Sequence, residues 1–233
     1  LPGTPSYFQK DFKTNKLTFG DSHAISAWLE GSKCSRNDGL TLNGAINRGF
    51  DTFIDDMEMT EINTLRFYLG NIDVRHHLCR LYPDVKEACF EAENLARSYV
   101  HEVLRMKNQY NVKHVGIVEL LPIEHECRRL PKTGNYKGQP FWGTAEERMQ
   151  VRNAFNDKVT QLQEQYGGFS IIRWPEEYTY QEETTVHLDK LSGVFKTYPE
   201  KEITFKPGML RFAVMEKPHS VHIAPTYYLW SVT

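Results

Sequence analysis

Short apolar runs alternate along the chain with longer segments of helical periodicity. Four runs have the length and composition of buried strands, namely Leu17–Phe19, Thr64–Leu69, His114–Leu121 and Phe169–Ile172. A short continuous apolar run is typical of a strand covered on both faces, as the strands of parallel sheets are. The pattern therefore predicts a parallel sheet.

Helical patterns lie between these runs. The longest spans Asp84–Lys107, where apolar residues recur with a period of about 3.6. Another spans Thr144–Tyr166 and opens with a threonine three residues before Glu147, which is the pattern of a capping box. A short helix is predicted at Asp51–Met59. Strands alternating with helices predict the α/β class, with a three-layer α/β/α sandwich around a mostly parallel sheet.

The pattern changes after Ile172. Residues 173–207 are rich in Tyr, Glu, Thr and Pro, and they carry only weak strand signals, such as Glu202–Phe205. We interpret the chain as a single domain over residues 1–233 with a loop or β insertion at 173–207, a size that one α/β domain can accommodate.

Composition narrows the function classes. The 233 residues carry a formal net charge of −2 and 40% hydrophobic residues, so no basic field favours a nucleic-acid or membrane partner. No apolar run approaches the roughly 18 residues that a membrane span needs, and the N-terminus shows no signal-peptide pattern. We expect a cytoplasmic protein, although the chain begins at Leu1, which is compatible with loss of an upstream segment.

The cysteines show neither a disulfide framework nor a metal-site spacing. Cys34, Cys79, Cys89 and Cys127 form no CxxC pair, and the chain contains no HExxH motif. We interpret them as free thiols in a reducing compartment, and no metal or organic cofactor is expected.

The first predicted strand stops abruptly at Gly20-Asp21-Ser22, and a helix-compatible stretch, Ala24–Leu29, follows. This order places the Ser22 hydroxyl on a sharp corner. A helix after the corner would direct its N-terminal amides towards a developing negative charge. Ser22 is therefore a candidate nucleophile, provided that the chain supplies a base and an oxyanion hole.

A second polar corner, Gly70-Asn71, follows the next predicted strand. The carboxyl ends of parallel strands meet at one edge of a sheet, so both corners belong to the same edge. The Asn71 amide has the chemistry to donate to an oxyanion opposite Ser22. A glycine amide from the segment Asp38–Gly44 is a candidate third donor. Each corner alone is a routine turn; their combination at successive strand ends favours a catalytic site.

The segments FGDSH, G-x-T-L and GNIDVRHH resemble the first three sequence blocks of the SGNH (GDSL-like) hydrolases. The third is similar to a branch that carries G-E-I-D-C-R-x-H, with Asn71 in place of the glutamate of that branch. The resemblance spans roughly Leu17–Ile172 and, more loosely, the C-terminal region. It implies a flavodoxin-like SGNH hydrolase fold.

The resemblance also implies roles for individual residues. Ser22 would be the nucleophile, and its own N–H, the Gly44 N–H and the Asn71 side chain would form the oxyanion hole. Gly39 competes with Gly44, because the segment matches the family in two ways. Four other residues of the first and third motifs are the substrate-binding candidates: Asp21, His23, Asp73 and Arg75. For Arg75, a structural ion pair is an equally open interpretation.

The histidine base is ambiguous. The family places it near the C-terminus within D-x-x-H, and both His222 and His187 compete for this role. We favour His222, but neither histidine has an aspartate three residues earlier, since Thr184 and His219 stand there. A backbone carbonyl, Glu183 or Glu216 would have to replace the missing carboxylate.

The resemblance implies a serine esterase that hydrolyses a small acyl ester. An O-acetyl group on a carbohydrate is the expected substrate, and the expected partner is thus a small-molecule or glycan ester. Two alternatives stay open. One is a non-catalytic binding or assembly module on the same fold, and the other is an acyl or group transferase that uses the same serine.

Overall fold

The computed structural model describes residues 14–29, 31–54, 59–121, 137–138 and 142–175, together with four short strands of the C-terminal part. Its centre is a five-stranded parallel sheet in the order β2-β1-β3-β4-β5. The strands are β1 (Lys16–Gly20), β2 (Lys33–Arg36), β3 (Thr64–Tyr68), β4 (His114–Val118) and β5 (Ser170–Ile172). The α/β class and the parallel sheet predicted from the sequence are confirmed.

The helices are α1 (Leu42–Arg48), α2 (Cys79–Leu81), α3 (Val85–Gln109) and α4 (Ala145–Tyr166). Single 3₁₀ turns occur at Ala24–Ala27 and Phe50–Phe53, and a π-helical segment, Asp73–Leu78, leads into α2. The two long helices agree with the predicted ones, and Thr144 caps α4 in the capping box that the sequence indicates.

The direction in which successive strands are added to the sheet reverses after β2, on the two sides of β1. The chain passes from β1 outward to β2, and it then crosses back over β1 to β3 and continues to β5. Because parallel crossovers are right-handed, α1, α3 and α4 share one face of the sheet, and the two long helices pack on each other there. The gap between β1 and β3 is the topological switch point, where open α/β sheets bind ligands at the carboxyl ends of their strands.

Aromatic rings fill the core beside this switch point. Phe19 of β1 lies edge-on to Phe67 of β3, with ring centroids 6.1 Å apart, and Phe50 contacts both rings at 5.5 and 5.3 Å. All three side chains are fully buried. Packing of this kind fixes β1 against β3 just below the corners that follow the two strands.

Several elements differ from the sequence-based expectations. The predicted helix Asp51–Met59 begins as a 3₁₀ turn, Phe50–Phe53, and residues 55–58 of the prediction lie outside the described residues. Ala24–Leu29 likewise forms one 3₁₀ turn, and the expected helix behind Ser22 is absent from this described stretch. The third predicted strand ends at Val118 rather than Leu121.

The C-terminal part contributes four short strands, whose backbones are described. β6 (Thr179–Gln181) pairs antiparallel with β9 (Leu210–Phe212), and β7 (Val186–Leu188) pairs antiparallel with β8 (Ile203–Phe205). The weak strand signal at Glu202–Phe205 therefore corresponds to β8. Whether residues 173–207 form an insertion in one domain stays a prediction. None of the described helices combines the length and apolarity that crossing a bilayer would require.

Candidate functional site

Ser22 lies on a corner at the carboxyl end of β1, directly beside β3. Gly20 and Tyr68 are Cα partners in the two strands, and the Asp21 N–H donates to the Tyr68 carbonyl at 3.2 Å. The contact leaves no room for a side chain at residue 20, because a Cβ there would lie 2.1 Å from the Tyr68 oxygen. The glycine of the motif thus lets the chain turn while it stays tied to β3, and Ser22 emerges partly exposed.

Asn71 occupies the matching corner after β3. Gly70 precedes it with a φ of +113°, a backbone conformation that side chains rarely adopt. The Asn71 side chain is fully buried, and neither its amide nitrogen nor its amide oxygen hydrogen bonds to any described residue. Leaving a buried polar group unpaired costs about 1–3 kcal/mol, so this amide is an unusual feature for a structural residue.

Asp21 and His23 lie on either side of Ser22. The His23 ring forms one hydrogen bond with Asp21 and another with Arg75. The Asp21 Oδ1 atom accepts from the His23 backbone N–H at 2.8 Å and lies 2.8 Å from His23 Nδ1. On the other side of the ring, Arg75 Nη1 lies 3.1 Å from His23 Nε2. The three side chains are at most 2% exposed. The structure therefore places three of the substrate-binding candidates together, in one buried cluster.

The partners of His23 assign its tautomer. A guanidinium can only donate, so Nε2 carries the lone pair and the ring proton sits on Nδ1, where it donates to Asp21. Ser22 Oγ lies 3.5 Å from that same Nδ1 atom. Since Nδ1 bears the proton, it offers Ser22 no lone pair. His23 in this arrangement is not the base for Ser22, although its ring lies next to that hydroxyl.

Asp73 anchors the start of α1. Its two carboxylate oxygens accept the N–H groups of Leu42 and Asn43, at 2.7 and 3.1 Å. Burial raises the pKa of this carboxyl to about 6; the two N–H donors oppose the rise, and the nearby charge of Asp21 adds to it. Asp73 therefore connects the π-helical segment behind Asn71 to the helix that follows β2.

The raised pKa of Asp73 makes the stability of the fold depend on pH. The folded-state value, about 6, lies above the ordinary value of about 3.9, so between these values the folded protein holds a proton that the unfolded chain releases. The contribution of the Asp73 proton to the free energy of unfolding is fully present below about pH 4 and is lost as the pH rises through about 6. A pKa shift of about two units corresponds to about 3 kcal/mol.

We expect Asp73→Asn to remove that part of the pH dependence. The measurement is the free energy of unfolding in urea for both proteins, at several values between about pH 4 and about pH 7. Parallel pH profiles for the wild type and the variant would contradict the assignment.

The two glycines that compete for the oxyanion hole differ in their hydrogen bonds. Gly44 lies within α1, and its N–H donates to the Thr41 side chain at 3.0 Å as part of the helix cap. Gly39 lies in the turn after β2 with a φ of +78°, and no described residue accepts a hydrogen bond from its N–H. An oxyanion would therefore compete with the cap at Gly44 but not at Gly39.

The two candidate bases lie in the C-terminal part. His187 belongs to β7, where its Cα pairs with that of Thr204. His222 lies outside the described residues. The choice between them stays a prediction.

A cavity of about 370 Å³ opens beside Asp73, between α1, the π-helical segment and α3. Among the described residues, its lining contains the carboxylates of Asp73 and Glu91 and no lysine or arginine, and Ser22 does not line it. Within the described ranges, no three side chains of His, Cys, Asp or Glu group closely enough to hold a metal ion.

Sequence reasoning missed the bond between His23 and Arg75, which links residues 52 positions apart. It also missed the role of Asp73 at α1. One signal was available in the segments that follow β1 and β3. Both contain charged residues close to the end of a buried strand, and a buried charged group requires an ion-pair or hydrogen-bond partner.

Comparisons with known proteins find likeness only at the level of structure. No protein-family model matches the chain, and no curated protein matches it significantly. A phospholipase A1 from Streptomyces albidoflavus NA297 superimposes with a TM-score of 0.38 and 12% identity, over 67% of this chain and 77% of that one. The salicylyl-acyltransferase SsfX3 from a tetracycline biosynthetic pathway gives a TM-score of 0.35 and 11% identity, over 86% of this chain and 52% of that one. At these identities the likeness concerns the fold alone.

Proposed function

We propose that this chain is a serine hydrolase that cleaves a small acyl ester with Ser22 as the nucleophile. The observation that carries the proposal is the pairing of two corners at the switch point of the sheet. Ser22 follows β1, and Asn71, with a buried amide that no described residue satisfies, follows the adjacent strand β3. A preorganised donor beside a candidate nucleophile is the arrangement that acyl transfer requires.

In the proposed reaction, Ser22 Oγ attacks the ester carbonyl carbon while the base takes the Oγ proton. The carbonyl oxygen becomes an oxyanion that accepts hydrogen bonds from the Asn71 amide, the Ser22 N–H and a glycine N–H. The tetrahedral intermediate expels the alcohol, which leaves with the proton from the base. Water then attacks the acyl-serine by the same steps and releases the acid. His222 is the preferred base, with His187 as its competitor.

The substrate class follows from the resemblance to SGNH hydrolases. We propose an O-acetyl-type ester on a carbohydrate. The reaction requires no metal or organic cofactor, because serine, imidazole and amide groups carry every step.

Replacing Ser22 with alanine is expected to abolish ester hydrolysis while the fold stays intact, since the side chain is partly exposed on a turn. The assay is release of p-nitrophenol from p-nitrophenyl acetate by the wild type and by Ser22→Ala, both checked for folding by circular dichroism. Equal rates in the two proteins, or no hydrolysis by the folded wild type, would refute the hydrolase proposal.

The missing aspartate supports a second candidate, a binding module that retains the site without the chemistry. Thr184 and His219 stand where the family pattern has the acid of the triad. A module of this kind would bind an acylated ligand equally well with Ser22→Ala. Hydrolysis that depends on Ser22 would exclude it.

A further inference from the structure

We propose that His23 is a positioning residue, and that its hydrogen bond to Arg75 aligns the nucleophile with the oxyanion donor. This inference rests on the proposed function. It assigns to the Asp21–His23–Arg75 cluster a role in holding Ser22 and Asn71 in position rather than in binding substrate.

The cluster connects the two polypeptide segments that must be aligned. Asp21 and His23 flank Ser22 on the corner after β1, whereas Arg75 lies four residues beyond Asn71 in the same helical segment. The contact of 3.1 Å between Arg75 Nη1 and His23 Nε2 is therefore a direct side-chain link between the two corners. Any shift of one corner relative to the other would stretch it.

The link is held by charge at both ends. The Asp21 carboxylate accepts from Nδ1–H, and the Arg75 guanidinium donates to Nε2, so a neutral imidazole bridges a buried anion and a buried cation. Hydrogen bonds to charged groups in a dry interior are stronger than hydrogen bonds between neutral groups. Breaking one leaves a buried charged group without that partner. An arrangement of this kind resists distortion more than the turn on which Ser22 sits.

Alignment matters because an oxyanion donor acts only at short range. Donors must lie about 2.7–3.1 Å from the developing oxyanion, and a displacement of about 1 Å can lower the rate about 100-fold. A link that fixes the two corners acts on the transition state more than on substrate binding. Loss of the link should therefore lower kcat and leave KM unchanged.

Two substitutions of His23 separate the halves of the link. In His23→Gln the side-chain oxygen reaches the position of Nε2 and can accept from Arg75. In His23→Asn the amide nitrogen takes the position of Nδ1, so the bond to Asp21 is kept and the bond to Arg75 is lost. We expect His23→Asn to lower kcat about 100-fold with KM unchanged. His23→Gln loses the side-chain bond to Asp21, but the backbone N–H of residue 23 still donates to that carboxylate, so this variant should retain most of the wild-type kcat.

Hydrogen exchange measures the same link without any substrate. The amides of residues 20–24 and 70–75 should exchange faster in His23→Asn than in His23→Gln or the wild type. If His23→Asn does not fold, Arg75→Met removes the same bond from the other side, and it should give the same loss of kcat and the same faster exchange.

A matched control separates alignment from stability. Thr18→Val deletes two other hydrogen bonds of β1, one between Thr18 Oγ1 and Ser32 Oγ at 3.1 Å and one from the Leu29 N–H to Thr18 Oγ1 at 3.2 Å, and it leaves the bond between His23 and Arg75 in place. It should lower stability and leave kcat unchanged.

The result that supports the inference is a selective loss of kcat, with faster exchange at both corners, when the Arg75 bond is removed. The inference is overturned if His23→Asn matches the wild type in both readouts, or if His23→Gln loses as much as His23→Asn. If the folded wild type has no esterase activity, the proposed function is wrong, but the inference about His23 is still tested. The hydrogen-exchange rates of the His23 variants then show whether the bond to Arg75 holds the two corners together.

Discussion

Replacing Asn71 with leucine is expected to raise the thermal stability of the protein while it lowers kcat by about 10²–10³-fold. Leucine has nearly the shape of asparagine but no polar atoms. The wild-type amide is fully buried and bonds to no described residue, so its removal relieves a cost of about 1–3 kcal/mol. The same change deletes the donor that the proposed mechanism assigns to the oxyanion. The measurements are the midpoint of thermal unfolding and kcat on p-nitrophenyl acetate.

Asn156 offers a matched control for this substitution. Its side chain is also buried, but both amide atoms are satisfied: Oδ1 accepts from the Leu120 N–H at 3.1 Å, and Nδ2 donates to the Leu120 carbonyl at 3.2 Å. Asn156→Leu should therefore destabilise the fold. If Asn71→Leu destabilises as much as Asn156→Leu and keeps its activity, Asn71 is a structural residue and the oxyanion assignment is wrong.

Replacing Gly20 with alanine is expected to destabilise the fold by about 3 kcal/mol or more and to abolish esterase activity. The added Cβ would lie 2.1 Å from the Tyr68 carbonyl oxygen and 3.2 Å from the Ala24 Cβ. Backbone atoms cannot rotate away as a flexible side chain can, so β1 and β3 would have to separate at the point where both corners begin. The free energy of unfolding in urea and the esterase rate measure the two effects.

Gly49→Ala separates this steric effect from conformational strain. Gly49 has a φ of +80°, and nothing lies within 4 Å of an added Cβ. Its ψ is +137°, so the variant should lose only the backbone preference of glycine, about 1–3 kcal/mol, and retain activity. Equal losses of stability in the two variants would contradict the close approach of β1 and β3.

The sheet and the long helices were predictable because their signals are local. The buried strands are continuous apolar runs, and the threonine and glutamate of the capping box indicate the start of α4. The edge strand β2 was missed because its sequence, Lys33–Arg36, is polar and only partly buried. Helix α1 was missed because its sequence, LNGAINR, contains glycine and asparagine, which are weak helix formers, and because the Asp73 carboxylate that also caps its start is 31 residues from Leu42.

The candidate site divides in the same way. The proximity of Ser22 and Asn71 could be predicted, since both follow parallel strands that end at one edge of the sheet. The bond between His23 and Arg75 could not, because it depends on how the corner after β1 and the π-helical segment pack in three dimensions. Neither could the capping bond of Gly44, which requires that α1 forms.

A fluorophosphonate probe provides the most direct test of Ser22 as the nucleophile. Such a reagent phosphonylates an activated serine, and peptide mass spectrometry then locates the adduct. We expect a single adduct on Ser22 in the folded wild type and none in Ser22→Ala. A folded wild type that remains unmodified, or that carries its adduct on another residue, would contradict the assignment of Ser22.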